Sequence, residues 1–323
     1  MRTVHRTILV ALIVACSTLV LAPQAAAYPD KPLTLIIPYP AGGAADLIGR
    51  TLADLAKPHF PQPIVVLNRP GGGGTVAAAE VVRARPDGYT VGLLTITIMA
   101  LQPHRVALPY KTPDDYASII EVMNVPLVLA VRAEAPWKSL KEYVEAARST
   151  PGKIRAGTPG IGTATHIALE MMKEQARVDI THVPYAGNAE SVPALLGGHI
   201  ESIMLNPSDV IPHLRAGKVR FLATSEPRRS QVYPDVPTLP ELGYPDAAIG
   251  VAYSVFAPKG TPPQAIQMVH DVFKRVIDSE AYKKFALGMS STVEYRGPAE
   301  LKQQLERDYV FFGKAVEKLK LRK

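Results

Sequence analysis

The sequence predicts an α/β protein composed of two α/β units. Short apolar runs alternate with amphipathic helix patterns along the chain, first over residues 33–97 and again over residues 153–223. This alternation is typical of a parallel sheet that helices cover on both faces. A chain of 323 residues also has the length of two ordinary domains, because single hydrophobic cores stop growing at about 250–300 residues.

The N-terminal segment, residues 1–27, is interpreted as a secretory signal peptide. Arg2 and Arg6 precede an apolar stretch, and Ala25–Ala27 fits a small-residue cleavage site. The apolar stretch is too short for a stable membrane span, so we expect a cleaved leader and an exported mature chain. Lipid anchoring at Cys16 is the alternative, because the residues around it resemble a lipoprotein cleavage box.

Composition and charge narrow the functional classes. Cys16 is the only cysteine, so the mature chain must be stabilised by a sizeable hydrophobic core rather than by disulfides. The formal net charge is only +7, and the basic tail at residues 314–323 is interpreted as a solvated helix end. We therefore expect no nucleic-acid partner, whereas a mild positive bias suits small anionic ligands.

The individual elements follow from periodicity and from capping signals. Ser139 and Glu142 form a capping box for one helix, which ends at Pro151. Extended segments near 127–131 and 251–257 are the expected crossings between the two units. Other helices are predicted at 45–57, 76–85, 163–175, 188–196, 212–216, 264–279 and 299–319, with strands at 33–37, 64–67, 90–97, 125–131, 153–156, 180–183, 200–204, 219–223 and 250–257.

Three glycine-rich turns each precede a predicted helix. They lie within Ile36–Lys57, Leu67–Glu80 and Ala156–Glu170. A helix N-terminus presents unpaired N–H groups and a partial positive charge, and glycine lets an anion approach the backbone closely. One such turn alone is more often structural. Three of them at the ends of parallel strands predict a binding site for an anion.

Motifs for nucleotide binding and for catalysis are missing. The chain has no strict G-x-G-x-x-G or G-x-x-x-x-G-K-[ST], no G-x-S-x-G, no H-E-x-x-H and no paired histidine spacing for a metal. We therefore expect a binding protein rather than an enzyme, without cofactor or metal. A secreted α/β hydrolase that uses Asp46, His166 and Tyr185 is the less favoured alternative.

Those three side chains each have a structural and a functional interpretation. Asp46 in a first helical turn either complements the helix dipole or orients the loop or a ligand donor. His166 either donates to a ligand or packs within its helix. Tyr185, between a strand and a helix, either packs or hydrogen-bonds to a ligand.

A series of motifs runs from about Tyr28 to the C-terminus, including "IIPYPAGGAADLIGR", "GTPGIGTATHIA", "ITHVPYAGNAESVPALLGGHIE" and "FAPKGTPP". Together they resemble the Bug-type receptors, the extracytoplasmic solute-binding proteins of tripartite tricarboxylate transporters. The resemblance implies an α/β, periplasmic-binding-protein-like (type II) Venus flytrap with two α/β lobes joined by crossing strands. We expect lobe 1 at residues 28–128 and 251–323, and lobe 2 at residues 129–250.

The resemblance also implies a function. It indicates a periplasmic receptor that captures a small carboxylate and presents its closed form to membrane transporter subunits; we expect a monomer. A ligand-sensing subunit of a membrane signalling system is the alternative. In the family, main-chain N–H groups and small polar side chains hold a ligand carboxylate, partly through waters. The corresponding ligand-binding residues here are Tyr39, Ala41, Gly42, Gly43, Asp46, Thr158, Gly160, Gly162, Thr163, His166, Tyr185, Gly187 and Asn206.

Three positions depart from the family pattern. Leu205 stands where many relatives have an aspartate before Asn206, so a ligand amine would lose its partner and a plain carboxylate is favoured over an amino acid. Ala252 replaces a tryptophan, which would widen the cleft or change its wall. Ala186, in "VPYAG", supplies no cation where relatives have a lysine.

Overall fold

The computed structural model describes residues 28–226, 228–230, 232–291 and 293–322. The predicted signal peptide and Cys16 lie outside the described residues, so cleavage and lipid anchoring stay predictions. Among the helices of the described ranges, none combines the length and the apolar character needed to cross a bilayer.

The secondary structure alternates between strands and helices. The strands are β1 Leu33–Ile37, β2 Ile64–Asn68, β3 Thr90–Thr95, β4 Tyr116–Val125, β5 Val128–Arg132, β6 Arg155–Thr158, β7 Thr181–Pro184, β8 Ser202–Leu205, β9 Val219–Thr224 and β10 Val251–Pro258. The helices are α1 Ala44–Ala56, α2 Thr75–Arg83, α3 Gln102–Arg105, α4 Leu140–Ser149, α5 Ala164–Ala176, α6 Asn188–Leu196, α7 Ile211–Arg215, α8 Pro263–Asp278, α9 Glu280–Gly288 and α10 Pro298–Lys318.

The strands form two five-stranded sheets. The first sheet has the order β2-β1-β3-β10-β4, and the second has the order β7-β6-β8-β5-β9. We call the first sheet with α1–α3 and α8–α10 the first lobe, and the second sheet with α4–α7 the second lobe. This arrangement confirms the predicted fold class of two α/β lobes.

Both sheets are mixed rather than purely parallel. In the first sheet β10 runs antiparallel to β3 and β4, and in the second β5 runs antiparallel to β8 and β9. The reversed strand is in each case the one that enters the sheet directly from a crossing between the lobes. A parallel strand pair needs a crossover connection, usually a helix, whereas a strand that arrives directly from the other lobe does not. The alternation of strands and helices in the sequence therefore does not predict the direction of β5 and β10.

The chain crosses between the lobes at residues 126–127 and again at residues 225–250. The two crossings are joined at one point, where the Leu127 amide donates to Ser225 Oγ at 2.8 Å and the Ser225 amide donates to the Leu127 carbonyl at 2.8 Å. The segments expected at the crossings, 127–131 and 251–257, lie at or directly after them, and most of their residues belong to β5 and β10. The expected residue limits of the two lobes remain our proposal for the domain division.

Two local differences from the predicted elements have clear causes. Strand β3 ends at Thr95, because the chain turns into a π-helical segment at Thr97–Leu101. The Thr95 hydroxyl lies 2.9 Å from the Thr97 hydroxyl at the start of that segment. Strand β4 was not predicted because its apolar pattern is broken by Glu121. That carboxylate is fully buried and lies 2.7 Å from the guanidinium of Arg296.

The apolar core is continuous between the lobes. Its main cluster includes Leu35 of the first sheet, Met204 of the second sheet and Ile167 of α5. An ion pair also joins the lobes: Lys318 Nζ at the end of α10 lies 2.6 Å from Glu174 Oε1 of α5. The residues that follow β1, β3, β6 and β8 come together at a cleft.

Candidate functional site

A cavity of about 440 Å³ lies between the two lobes. This volume is within the range of about 300–1,000 Å³ typical of small-molecule sites. Three helices begin at its wall: α1 from the first lobe, and α5 and α6 from the second. The cavity therefore lies beyond the carboxyl ends of strands in both sheets, where α/β proteins bind their ligands.

The first of these helix N-termini belongs to α1. Gly43, Ala44 and Ala45 all line the cavity. Gly43 is the N-cap residue, with extended backbone and no side-chain oxygen to accept a hydrogen bond. The amides of Ala44 and Ala45 therefore lack an intrahelical acceptor and are available to a ligand.

The N-terminus of α5 reaches the cavity from the second lobe. Thr163, Ala164 and Thr165 line it. The Thr163 hydroxyl caps the helix by accepting from the His166 amide at 3.3 Å, and it lies 2.7 Å from the Thr165 hydroxyl. The amides of the first two helical residues again remain as donors.

The third N-terminus belongs to α6, where Gly187, Asn188 and Ala189 line the cavity. Gly187 provides no side-chain cap. Three converging helix ends place partial positive charge around one small volume, and backbone donors are oriented without any rearrangement. The arrangement favours an anion.

Hydroxyl groups complete the wall on the side of the first lobe. Thr95, Thr97, Tyr39 and Tyr253 contribute. Burial raises the pKa of Tyr39 to about 12, although its hydrogen bond to Thr95 acts in the opposite direction. Burial, together with the neighbouring Tyr39 and Asp209, also raises the pKa of Tyr253. Both phenols are therefore neutral at physiological pH and can donate hydrogen bonds.

Seven of the residues expected to bind ligand do line the cavity. They are Tyr39, Ala41, Gly42, Gly43, Thr163, Gly187 and Asn206. The structure thus brings the turn before α1 and the turn before α5 to one groove, together with the turn before α6. The other six expected residues are not in the wall, and each has a contact inside the protein that explains its position.

Asp46 lies behind the first turn. Its buried carboxylate accepts from the Gly42 amide at 2.9 Å, from Asn68 Nδ2 at 2.9 Å and from Arg50 Nε at 2.9 Å. Burial by itself raises the pKa of Asp46, but these hydrogen bonds outweigh it and hold the pKa below its usual value. Asp46 therefore orients the loop, one of its two expected roles, rather than contacting the cavity.

Gly162 and His166 bond to each other in the second lobe. The Gly162 amide donates to His166 Nδ1 at 3.1 Å, and the Gly162 carbonyl accepts from Gln102 Nε2 of the first lobe at 3.0 Å. The His166 ring is buried and stacks on His182, with 4.1 Å between ring centroids. Burial, then the neighbouring His182, lowers the pKa of His166 to about 3. The ring is therefore a neutral acceptor that positions the turn.

Thr158, Gly160 and Tyr185 support the same turn from the adjoining strands. The Thr158 hydroxyl is buried 2.7 Å from His182 Nε2, and the Gly160 carbonyl accepts from the Thr163 hydroxyl at 2.9 Å. The Tyr185 amide donates to the Thr158 carbonyl at 2.9 Å. These contacts fix the chain path into α5.

Three further expectations need correction. The turn at Gly71–Gly74 is not in the cavity wall; a Cβ at Gly73 would lie 3.2 Å from the Ile161 carbonyl, so this turn packs against the second lobe. Leu205 is fully buried in the core of the second lobe, so its side chain does not face the cavity. Ala252 lines a separate cavity, because alternation along β10 turns Tyr253 toward this one.

Sequence reasoning missed several wall residues, of which Asp209 is the most consequential. It ends a short 3-10 turn, Pro207–Asp209, that follows β8. The sequence does offer a signal for it, because Asp209 follows the predicted ligand-binding residue Asn206 by only three positions. In the described chain, no three His, Cys, Asp or Glu side chains converge as a metal site.

Sequence comparison identifies relatives over most of the chain. The family profile described as "Tripartite tricarboxylate transporter family receptor" matches residues 48–310. The "UPF0065 protein in gbd 5'region" of Cupriavidus necator is 37% identical over 265 residues, or 81% of this chain and 79% of that protein. Protein BugT of Bordetella pertussis is 32% identical over 79% of this chain and 78% of its own length.

Solved structures agree with this result. One described as a periplasmic transporter has a TM-score of 0.86 and 32% identity over 92% of this chain and 99% of its own. MatC from Rhodopseudomonas palustris, with bound malate, has a TM-score of 0.83 and 26% identity over 90% of this chain and 100% of its own. A second R. palustris protein, solved with adipate, has a TM-score of 0.85 and 26% identity over 91% of this chain and 98% of its own. The chain belongs to the TctC family of tripartite tricarboxylate transporter receptors.

Proposed function

We propose that the protein is a periplasmic solute receptor that captures a small carboxylate for a tripartite tricarboxylate-type transporter. The observation that carries this proposal is the convergence of the α1, α5 and α6 N-termini on one cavity between the lobes. Two structural neighbours, each 26% identical to this chain, were solved with the carboxylates malate and adipate. Both are small enough for a cavity of this size.

The cavity wall explains how an anion can bind without a cationic side chain. Among the described residues that line it, none is a lysine or arginine. Hydrogen bonds from backbone amides to a carboxylate are charge-assisted and about twice as strong as neutral ones. Donors contributed by two lobes would hold the closed form, because only that form brings both sets to the ligand.

The remaining parts of the proposal rest on family membership. Export by a cleaved signal peptide would place the receptor in the periplasm, and the closed form, as a monomer, would be recognised by membrane transporter subunits. We also propose binding without chemistry. Asp46, His166 and Tyr185, the residues of the hydrolase alternative, bond to neighbouring backbone and do not converge in the cavity wall.

Calorimetry with mono-, di- and tricarboxylates tests the proposal, and proline variants identify the donors. Ala44→Pro and Ala164→Pro each delete one amide at the first helical position, where proline is well tolerated. The preceding residues, Gly43 and Thr163, already have the extended backbone that proline requires. We expect each variant to weaken carboxylate binding about 10-fold, the effect of losing one charge-assisted hydrogen bond.

Glu280→Pro is the matched control. Glu280 is the first residue of α9, outside the cavity wall, and Ser279 before it is also extended. We expect this variant to bind as the wild type does. Heat with none of the carboxylates would overturn the proposal, and equal binding by all three variants would exclude the helix amides as the donors.

A further inference from the structure

Asp209 gives one part of the cavity wall the opposite electrostatic character from the α1 and α5 helix ends. Its Oδ2 accepts from Asn188 Nδ2 at 2.6 Å. Since Asn188 is the first residue of α6, the carboxylate already lies at that helix N-terminus and offsets its positive potential. The α1 and α5 ends are left to supply the amide donors for a ligand carboxylate.

The described residues of the wall include no lysine or arginine to pair with Asp209, and His213 is the one basic side chain among them. Asp209 is the single acidic residue among the same residues. Asn188 Oδ1, on the side chain that contacts Asp209, is shielded from solvent and has no donor within the described chain. The Asp209 carboxylate and the Asn188 amide oxygen thus give this part of the wall a negative potential, and a second anionic group of a ligand would be repelled there.

Resting on the proposed function, we propose that Asp209 is a specificity-determining residue that selects a carboxylate ligand carrying a hydrogen-bond donor at its other end. The donor is a hydroxyl or an ammonium group, which share the ability to donate to the Asp209 carboxylate. A plain dicarboxylate of the same length is disfavoured while Asp209 is ionised. This reverses the expectation from Leu205, because a carboxylate is present in the cavity although that position is apolar.

The protonation of Asp209 supports this interpretation. Burial raises the pKa of Asp209 to about 6, and the hydrogen bond from Asn188 only partly counteracts it. The titratable groups that share this wall are His213 of α7, Tyr253 of β10 and Tyr39. Below about pH 6 the neutral acid can itself donate to a carboxylate, so the discrimination against dicarboxylates relaxes as the pH falls.

Matched ligand series test the inference. A four-carbon and a six-carbon series each contain the alkyl carboxylate, the ω-hydroxy acid, the ω-amino acid and the dicarboxylate. At pH 7.5 we expect the wild type to bind the hydroxy or the amino acid at least about 10-fold more tightly than the dicarboxylate of the same length, the effect of one good polar contact. The two donor-bearing acids separate a hydroxyl ligand from an ammonium ligand.

Variants then assign the discrimination to Asp209. Asp209→Asn keeps the shape of the side chain and removes its charge, and Asp209→Ser provides a second neutral variant. Both should bind the dicarboxylate more tightly and the ω-amino acid about 10-fold more weakly than the wild type. Asp278→Asn removes an exposed charge from α8 and should change nothing.

The outcomes are distinguishable. A wild type that prefers the dicarboxylate at pH 7.5, or an Asp209→Asn variant with unchanged ligand ranking, would overturn this inference and leave carboxylate binding intact. Absence of binding by every compound in both series would overturn the proposed function and the inference with it. A dicarboxylate affinity that rises from pH 7.5 to pH 5 in the wild type more than in Asp209→Asn would support it, since His213 is present in both.

Discussion

The turn before α1 and the turn before α5 have the same backbone design but different supports. In each, a glycine with positive φ donates its amide to the side chain four residues later: Gly42 to Asp46, and Gly162 to His166. The first support is a carboxylate paired with Arg50, and the second is a neutral imidazole. The comparison teaches that one anion-binding geometry can be built with or without a fixed charge behind it.

The largest effect is expected from Asp46→Ala. It removes the acceptor for Gly42, Asn68 and Arg50 together, and should lower the free energy of unfolding by about 3 kcal/mol. Urea unfolding at pH 7.5 measures this. Asp54→Ala, on the same helix but with its side chain 70% exposed, is the control and should cost less than about 0.5 kcal/mol.

The stabilisation that Asp46 provides should persist until the pH is low. Because the pKa of Asp46 is lowered by folding, its stabilisation is complete above the unfolded value near 4 and is lost only as the pH falls below that value. An Asp46→Ala effect that vanished already at pH 6 would contradict this account.

His166→Leu should have the next largest effect. It leaves the buried Gly162 amide without an acceptor and should cost about 2 kcal/mol at pH 7.5. His166→Asn places an oxygen near the position of Nδ1 and should cost less than half as much. Unfolding of the two variants beside the wild type separates loss of the acceptor from loss of the ring.

The same variants test the sign of the pH dependence. The pKa of His166 falls from 6.5 to about 3 on folding, so the unfolded chain binds a proton that the folded one excludes. Stability from this residue is complete above pH 6.5 and declines by up to about 1.4 kcal/mol per pH unit toward pH 3. His166→Asn should remove the contribution of His166 to the slope of the free energy of unfolding against pH. An unchanged slope would contradict the interpretation of His166 as a neutral ring.

Gln102→Ala should have a smaller effect on stability and a clear effect on lobe closure. Gln102 is fully buried, and its bond to the Gly162 carbonyl joins the two lobes directly. We expect a loss of about 1.5 kcal/mol and a more open ligand-free form, measured by small-angle scattering. Gln303→Ala on the exposed face of α10 is the control; identical scattering profiles for the two variants would exclude an interlobe tie.

The smallest effect distinguishes two neighbouring glycines. Gly42 has φ of +86° with open space where a Cβ atom would lie, whereas Gly43 has an ordinary extended backbone. Gly42→Ala should cost about 1 kcal/mol from backbone strain alone, and Gly43→Ala should cost about 0.5 kcal/mol, because alanine is a poorer N-cap residue than glycine. Thermal unfolding of both variants checks this, and equal costs would contradict the assignment of strain to Gly42.

The parts of the site that local patterns encode were predictable. The glycines of the turns and the cap residue Thr163 stand directly before their helices, and the alternation of strands and helices places those helix starts at one edge. Seven of the predicted residues therefore do line the cavity. The fold class followed from the same alternation and from the family resemblance.

The rest depends on contacts between distant parts of the chain. Tyr253 reaches the cavity because β10 returns to the first sheet beside β3, and no local pattern near Tyr253 reveals this pairing. The Gln102 bond to Gly162 joins residues in different lobes. The local pattern does not predict β4, because Glu121 interrupts its apolar run. The buried Glu121 is tolerated because it pairs with Arg296, which lies in a different part of the chain.

A crystal structure of the receptor with a bound carboxylate tests the central claim most directly. The account predicts carboxylate oxygens about 3 Å from main-chain nitrogens in the first turns of both α1 and α5. A carboxylate bound in the cavity only by side chains, or held by a guanidinium outside it, would contradict the claim that the helix N-termini form the anion site.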